Sequence, residues 1–267
     1  AGTVVTEGMK RFKDLADTYL PDGGFLDGPD YWEFAMNFIG YTVGTMRTAL
    51  GTDYGLSDSP GFNTTFDWQA QIEGSMGAFN FDSCDPMYVN SPEFILFGEL
   101  TDRDDLINHR VNHQLFYTNT ASPTFKDILW YDGEDYSSSA LPLDYHSKGA
   151  TNISVLRSGT DADDTWIAMY AGYRKKATDA MQDFDGTFVF DMNGKRWALD
   201  YGAESQTYQN TGYVFTDYYV CRPEGHNTVI ISESEDSGHD SGACGYIIKS
   251  LSNDRMGMAV YDLTDQL

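Results

Sequence analysis

The residues best suited to chemistry are a group of carboxylates and one imidazole gathered around a turn. Asp183 and Asp185 stand just before the alternating run Thr187–Asp191, and Asp200 closes the run Arg196–Asp200. Asn193-Gly194 lies between the runs, and this dipeptide takes the positive φ angles that a tight primed hairpin turn needs. His226 opens a third run, Asn227–Ser232, that can pair alongside. Carboxylates and an imidazole brought together from separate strands could hold a divalent ion such as zinc. The same aspartates could instead solvate the edge of a hairpin.

A second pair of imidazoles, His109 and His113, is spaced four apart, so both fall on one face of a helix. They could act near a cleft or serve as structural histidines. His239 sits in the polar run Glu233–Ser241 and reads as a solvated loop residue. Cys84, Cys221 and Cys244 have no metal-type spacing. One disulfide with one thiol and three thiols both remain open, so the cysteines do not fix the compartment.

The elements that must position these groups fall in two regions. Thr3–Leu20 places apolar residues at helical spacing, and Pro21-Asp-Gly-Gly breaks the pattern. A second helix is predicted over Gly28–Leu50, with Asp27 as N-cap, Pro29 in the first turn and Gly51 past the end. Its apolar stripe is predicted to be Tyr31, Phe34, Ala35, Phe38, Tyr41, Met46 and Leu50. Thr52–Cys84 reads as largely loop, with a short helix near Trp68–Glu73. Further helices are predicted over Pro92–Leu100, Asp102–Tyr117 and Ser122–Trp130.

After Asp132 the texture changes to short alternating segments: Asn152–Arg157, Thr165–Tyr170, the two hairpin runs, Tyr218–Arg222, Asn227–Ser232, Tyr246–Ser250 and Met256–Tyr261. Gly, Asp, Asn and Ser turns separate them at the spacing of a β-sandwich. Helices first and strands second argue for segregated parts, 1–132 helical and 133–267 β, joined near Asp132–Ala140.

With 267 residues, 41% of them hydrophobic, the chain can bury a sizeable core as one large domain or two. No run of 18 apolar residues is present, so no membrane span is expected. No signal peptide stands at the start, as would also hold for a trimmed secreted protein. Asp and Glu total 41 against 17 Lys and Arg, a net charge of −24 spread along the chain. Nucleic acid, which demands a basic face, is not an expected partner.

The order of these features resembles the heparinase II/III-like polysaccharide lyases. Pro21-Asp-Gly-Gly-Phe-Leu-Asp-Gly-Pro-Asp-Tyr-Trp32 is similar to the segment that carries their tyrosine. Gly51-Thr-Asp-Tyr-Gly-Leu56, Pro60-Gly61 and Ala78-Phe-Asn-Phe-Asp82 resemble the segments downstream of that tyrosine. Val155-Leu-Arg-Ser158, Gly186-Thr-Phe188, Arg196-Trp-Ala-Leu-Asp-Tyr-Gly202 and His226-Asn-Thr-Val229 resemble that family's sandwich landmarks. The resemblance implies an α+β multidomain fold: the C-terminal part of an α/α toroid followed by an antiparallel β-sandwich. By that comparison the chain begins late in the toroid and stops inside the sandwich.

The resemblance also implies a function: cleavage of uronic-acid polysaccharide by β-elimination, in a secreted or periplasmic setting, with an acidic polysaccharide or oligosaccharide as partner. Such a reaction needs a base for the uronate C5 proton, an acid for the leaving oxygen, and neutralisation of the carboxylate. Tyr31 matches the family's catalytic tyrosine, and a first helical turn would favour its phenolate. The alternative for Tyr31 is packing with Phe34 and Phe38. Arg157 could meet the uronate carboxylate, or act as a strand-end salt-bridge or rim residue. The family's His-x-His-x-Asp falls on Met181, Asp183 and Asp185 if one residue is deleted before Gly186. Methionine cannot transfer a proton. Asp183, Asp200 and His226 occupy the family's zinc-ligand positions, where an ion would tie strands together rather than perform the elimination. The second implied reading is a non-catalytic carbohydrate-binding or structural relative. A net charge of −24 weighs against a polyanion unless a locally basic cleft receives it.

Overall fold

The computed structural model describes residues 2–82, 84–115, 122–137, 141–149, 151–172, 185–202, 219–230, 245–253 and 255–264. Helices dominate to Trp130 and strands from Asp144 onward. The first two helices, α1 (Gly2–Thr18) and α2 (Gly28–Leu50), lie where the sequence predicts them. Gly51 ends α2 in the left-handed conformation (φ 72°), its N–H donating to the Arg47 carbonyl at 2.9 Å.

The face that α2 buries is not the predicted one. Trp32, Met36, Ile39 and Val43 are buried, whereas Tyr31, Phe34, Phe38 and Tyr41 face outward. Both stripes are apolar, so periodicity alone cannot choose between them. The choice is made by a partner: the Trp32 indole N–H donates to Thr65 Oγ1 at 2.8 Å, and its ring meets Phe66 and Phe94.

Helix α3 (Pro60–Gln71) begins well before the short helix predicted near Trp68–Glu73, in a stretch that reads as loop. Pro60 opens it, and Gly61 next to it allows α1 to approach closely. A Cβ on Gly61 would overlap the carbonyl oxygen of Ala16. Gly61→Ala should therefore destabilise by about 1–3 kcal/mol. Gly8, exposed in α1 with nothing within 4 Å of an added Cβ, should gain about 0.5–1 kcal/mol on the same change. Urea midpoints of the paired variants check both signs.

The two-residue strands β1 (Glu73–Gly74) and β2 (Gly77–Ala78) pair as a small hairpin after α3. Helix α4 (Glu93–Thr101) buries Phe94, Leu96 and Phe97, and Phe66 meets Phe94 and Phe97 at ring distances of 4.9 Å. The predicted Asp102–Tyr117 helix divides into α5 (Asp104–Asn108) and a π-helical turn, His109–Gln114. Helix α6 (Phe125–Trp130) starts at a Thr124–Asp127 capping box.

Five antiparallel strands come next in meander order: β3 (Asp144–Lys148), β4 (Asn152–Arg157), β5 (Trp166–Tyr170), β6 (Phe188–Met192) and β7 (Lys195–Ala198). Strand β3 is an addition to the predicted set. The Asn193-Gly194 hairpin matches its prediction, with φ of 53° and 64° at the two residues. The predicted strands Tyr218–Arg222 and Asn227–Ser232 are corrections. Tyr219–Cys221 is a 3₁₀ turn, and 226–230 is turn and coil, not strand. There Asn227 Nδ2 donates to the Phe188 carbonyl at 2.9 Å and Thr228 Oγ1 to that of Asp185 at 2.6 Å. Side chains thus provide the tethering expected of a strand ladder.

The β8–β9 hairpin (Tyr246–Asn253, Met256–Asp262) lies against β3 and β4, with the Tyr261 hydroxyl donating to the Met169 carbonyl at 2.8 Å. Ile153, Val155, Ala168 and Val189 of the sheet share one apolar core with Trp68 and Phe81. Phe81 stacks on Tyr170 at 4.8 Å, and the Trp68 N–H donates to Thr151 Oγ1 at 3.2 Å. That shared core fixes the sheet relative to the helices, and two polar centres lie along the junction.

Candidate functional site

The first centre is built around the start of α2. Gly28 there has φ 85°, and a Cβ on it would lie 2.7 Å from the Phe81 carbonyl oxygen and 2.8 Å from Cys84 Cβ. The loop after β2 is therefore seated on the first turn of α2. Within that loop Asn80 Nδ2 donates to the carbonyls of Cys84 (3.3 Å) and Asp200 (3.2 Å). Asp200 is buried and anchored: Oδ1 accepts from the Gly202 N–H at 2.9 Å and Oδ2 from Thr187 Oγ1 at 2.8 Å. The same Oδ2 lies 2.9 Å from Nδ1 of buried His226.

Asp200 and His226 thus come together, although no strand carries the imidazole. His226 is delivered by the 3₁₀ turn Pro223–Gly225. A 2.9 Å separation is a hydrogen bond, and is slightly short of the spacing of two ligands on one zinc ion. Asp183, the third predicted ligand, lies outside the described residues, as does Met181.

Tyr31 lies in the first turn of α2 and is 49% exposed, so its ring is not packed away with Phe34 and Phe38. Its backbone N–H donates to Asp30 Oδ1 at 2.6 Å. Burial pushes the Asp30 carboxyl up, and a hydrogen bond from Cys84 opposes this only in part. Burial and then the Asp30 charge push the Cys84 thiol well up, so Cys84 is a protonated structural group, not a nucleophile. The Tyr31 backbone is thus tied to the Asp200 backbone through Asp30, Cys84 and Asn80.

The second centre joins residues that the sequence reading leaves apart. Glu73 of β1 lies between α3 and the π-helical turn, with both predicted imidazoles against it. Its Oε1 accepts from Gln69 Nε2 at 3.0 Å and Gln114 Nε2 at 3.1 Å. Its Oε2 faces His109 Nε2 at 3.3 Å and His113 Nε2 at 3.9 Å. The two imidazoles stack with centroids 4.7 Å apart and planes 22° apart. One ligand atom from each of Glu73, His109 and His113 falls within 4.8 Å of the others, a spacing that could hold a metal ion.

Electrostatics set the charge state of this centre. Burial pushes the Glu73 carboxyl up, but the His109 charge and hydrogen bond, with smaller contributions from His113 and Gln69, hold it below its ordinary value. Burial, then the neighbouring His109, lowers His113 to about 4, so its imidazole is neutral at neutral pH. Glu73 itself carries no signal in the sequence. The adjacent Gly74 is the only mark: a Cβ there would lie 2.7 Å from the Trp166 ring and 2.9 Å from Asp191 Oδ2.

Arg157, predicted to meet an anionic group, belongs to this second centre and not to the one with Tyr31. Together with Glu73, His113, Ser75, Asp164 and Trp166 it lines a small pocket open to solvent. Its Nη2 donates to the Gln71 carbonyl at 2.6 Å. Burial lowers its guanidinium to about 10, which leaves it cationic at neutral pH. Among the described residues no carboxylate lies within ion-pairing distance of it.

No family model and no curated protein matches this chain. Solved structures do. The heparan sulfate lyase HepC from Pedobacter heparinus superposes with a TM-score of 0.69 at 13% identity, over 97% of this chain and 37% of that one. A heparinase III gene product gives 0.64 at 15% identity, over 97% of this chain and 37% of its own. A further heparinase III structure gives 0.64 at 14% identity, over 97% and 39%. The chain therefore has a heparinase-like fold and spans less than two-fifths of the length of these proteins.

Proposed function

We propose that the chain forms part of a heparinase-like polysaccharide lyase that cleaves uronic-acid-containing polysaccharide by β-elimination. The observation that carries this reading is the half-exposed Tyr31 on the first turn of α2, its backbone tied through Asp30, Cys84 and Asn80 to that of Asp200 within a heparinase-like fold. Fold alone would not suffice, because one fold hosts many activities.

In the reaction a base removes the uronate C5 proton and the electron pair forms the C4=C5 double bond. The C4–oxygen bond breaks, and the departing oxygen takes up a proton. Tyr31 is the group proposed to move the proton, as base in its phenolate form or as acid in its phenol form. Arg157 is proposed to take an anionic group of the substrate. Asp183, Asp200 and His226 are proposed to hold a structural zinc ion joining strand ends. Of this set, the two described members converge.

The outer apolar face of α6 fits a toroid whose further helical hairpins would cover it: Ile128 is 82% exposed. The β8–β9 hairpin would then belong to the second sheet of a sandwich. A secreted or periplasmic location suits such a substrate.

Met181 at the position of the family's catalytic histidine favours a second reading, a carbohydrate-binding relative without lyase activity. The two are separated by the ultraviolet absorbance of the unsaturated uronate product across a panel of uronic-acid glycans. Product from at least one glycan is expected. Saturable glycan binding with no product would leave the second reading.

A further inference from the structure

We infer that Glu73 Oε2, His109 Nε2 and His113 Nε2 form a transition-metal site, separate from Asp200–His226, with its open coordination position facing the pocket that holds Arg157. The inference is independent of the lyase reading and rests on three features of the site.

The first is the donor set. Two imidazoles and one carboxylate are a common protein ligand set for zinc, cobalt and related ions, and leave one tetrahedral position for water or an anion. Distances of 3.3 and 3.9 Å from Glu73 Oε2 to the two Nε2 atoms bracket the separation of ligands around one such ion.

The second is the support behind the ligands. Gln69 donates to Glu73 Oε1, and Gln114 Nε2 is shared between Oε1 (3.1 Å) and Oε2 (3.3 Å), which fixes the carboxylate with Oε2 toward the imidazoles. Gln114 is in turn held by Arg110 Nη1 at 3.2 Å, and Arg110 pairs with Asp127. This buried framework restricts the carboxylate to one orientation, as outer-shell partners do at metal centres. The π-helical turn brings His109 and His113 over the same oxygen, and such turns recur at functional sites.

The third is charge and access. Glu73 and His113 line the pocket, so an ion held by them would meet solvent on one side. A divalent ion with one carboxylate keeps a net positive charge, and Arg157 adds another. The open position would therefore take an anion: hydroxide, chloride, or a carboxylate from a ligand. Arg157 by itself repels a cation, which makes Glu73 indispensable to the site.

The experiment titrates the chelator-treated chain with Co²⁺, followed by visible absorption, and then displaces it with Zn²⁺. Wild type and Asp200→Asn should both develop a ligand-field band that Zn²⁺ removes. His113→Gln should weaken that binding by more than about tenfold. A wild type without such a band overturns the site. So does a band lost in Asp200→Asn and kept in His113→Gln, which would put the ion at the other centre. Should His113→Gln fail to fold, Asp200→Asn still decides: loss of the band there overturns the site. Zn²⁺ should protect His113 from diethyl pyrocarbonate, mapped by mass spectrometry, and equal modification with and without Zn²⁺ counts against the site.

Discussion

Replacing Asp127 by alanine should lower the unfolding free energy by about 3–5 kcal/mol, the range for leaving a buried charge without its partner. Arg110 is fully buried, and its Nε and Nη2 donate to the two Asp127 oxygens at 2.8 and 2.9 Å. Asp127 also closes the capping box of α6, accepting from the Thr124 N–H at 2.7 Å. Alanine removes the paired charge and the cap together. The control is Asp67→Ala at Arg103, whose carboxylate side chain is 49% exposed; that change should cost no more than about 1 kcal/mol. Urea unfolding followed by tryptophan fluorescence checks both. Equal effects at the two sites would contradict the buried-pair account.

The same carboxylate gives a pH signature. Burial pushes Asp127 up, but the Arg110 hydrogen bonds and the Thr124 N–H outweigh this and hold it below its ordinary value. A depressed folded value contributes stability above the unfolded pKa of about 3.9, and that contribution disappears as pH falls through the folded value. The gap between wild type and Asp127→Asn should therefore be full at neutral pH and narrow only below about pH 4.

Tyr31→Phe should lower lyase kcat/KM by about 10²–10⁴-fold, the usual contribution of a positioned proton-transfer group. The unfolding midpoint should hardly change, since the ring is 49% exposed and phenylalanine keeps its shape. Phe34→Ala, one turn along on the same outward face, is the control. It removes an exposed ring of similar size and should leave kcat/KM within a few-fold. A loss common to both variants would assign Tyr31 to the surface on which the helix packs; a loss confined to Tyr31→Phe supports proton transfer.

Several elements are legible from local chemistry alone. Asn193-Gly194 could only mark a turn of positive φ, and Pro29 and Gly51 bound α2 because breakers and C-caps act within one turn of the chain; Asp27 stands at the N-cap position but its side chain makes no capping hydrogen bond. The alternation in Asn152–Arg157 signals a strand, and the strand is found there, although Asn152–Val155 are buried on both faces. His109 and His113 can be placed on one helical face, because a spacing of four is a local relation.

Relations between distant segments are not legible in this way. The burial of Trp32 instead of Phe34 depends on Thr65 being opposite, and both stripes of α2 look alike to a periodicity. Glu73 joins the two imidazoles only because Gly74 lets the short hairpin approach Trp166, and because Gln69 and Gln114 orient the carboxylate from two different helical segments. His226 reaches Asp200 without the strand expected of it, since Asn227 and Thr228 tether their segment by side-chain hydrogen bonds. The chain by itself determined the residue types and their local spacing. Which carboxylate meets which imidazole was decided by the tertiary structure, because hydrogen bonds and packing over tens of residues set those distances and leave no short-range pattern.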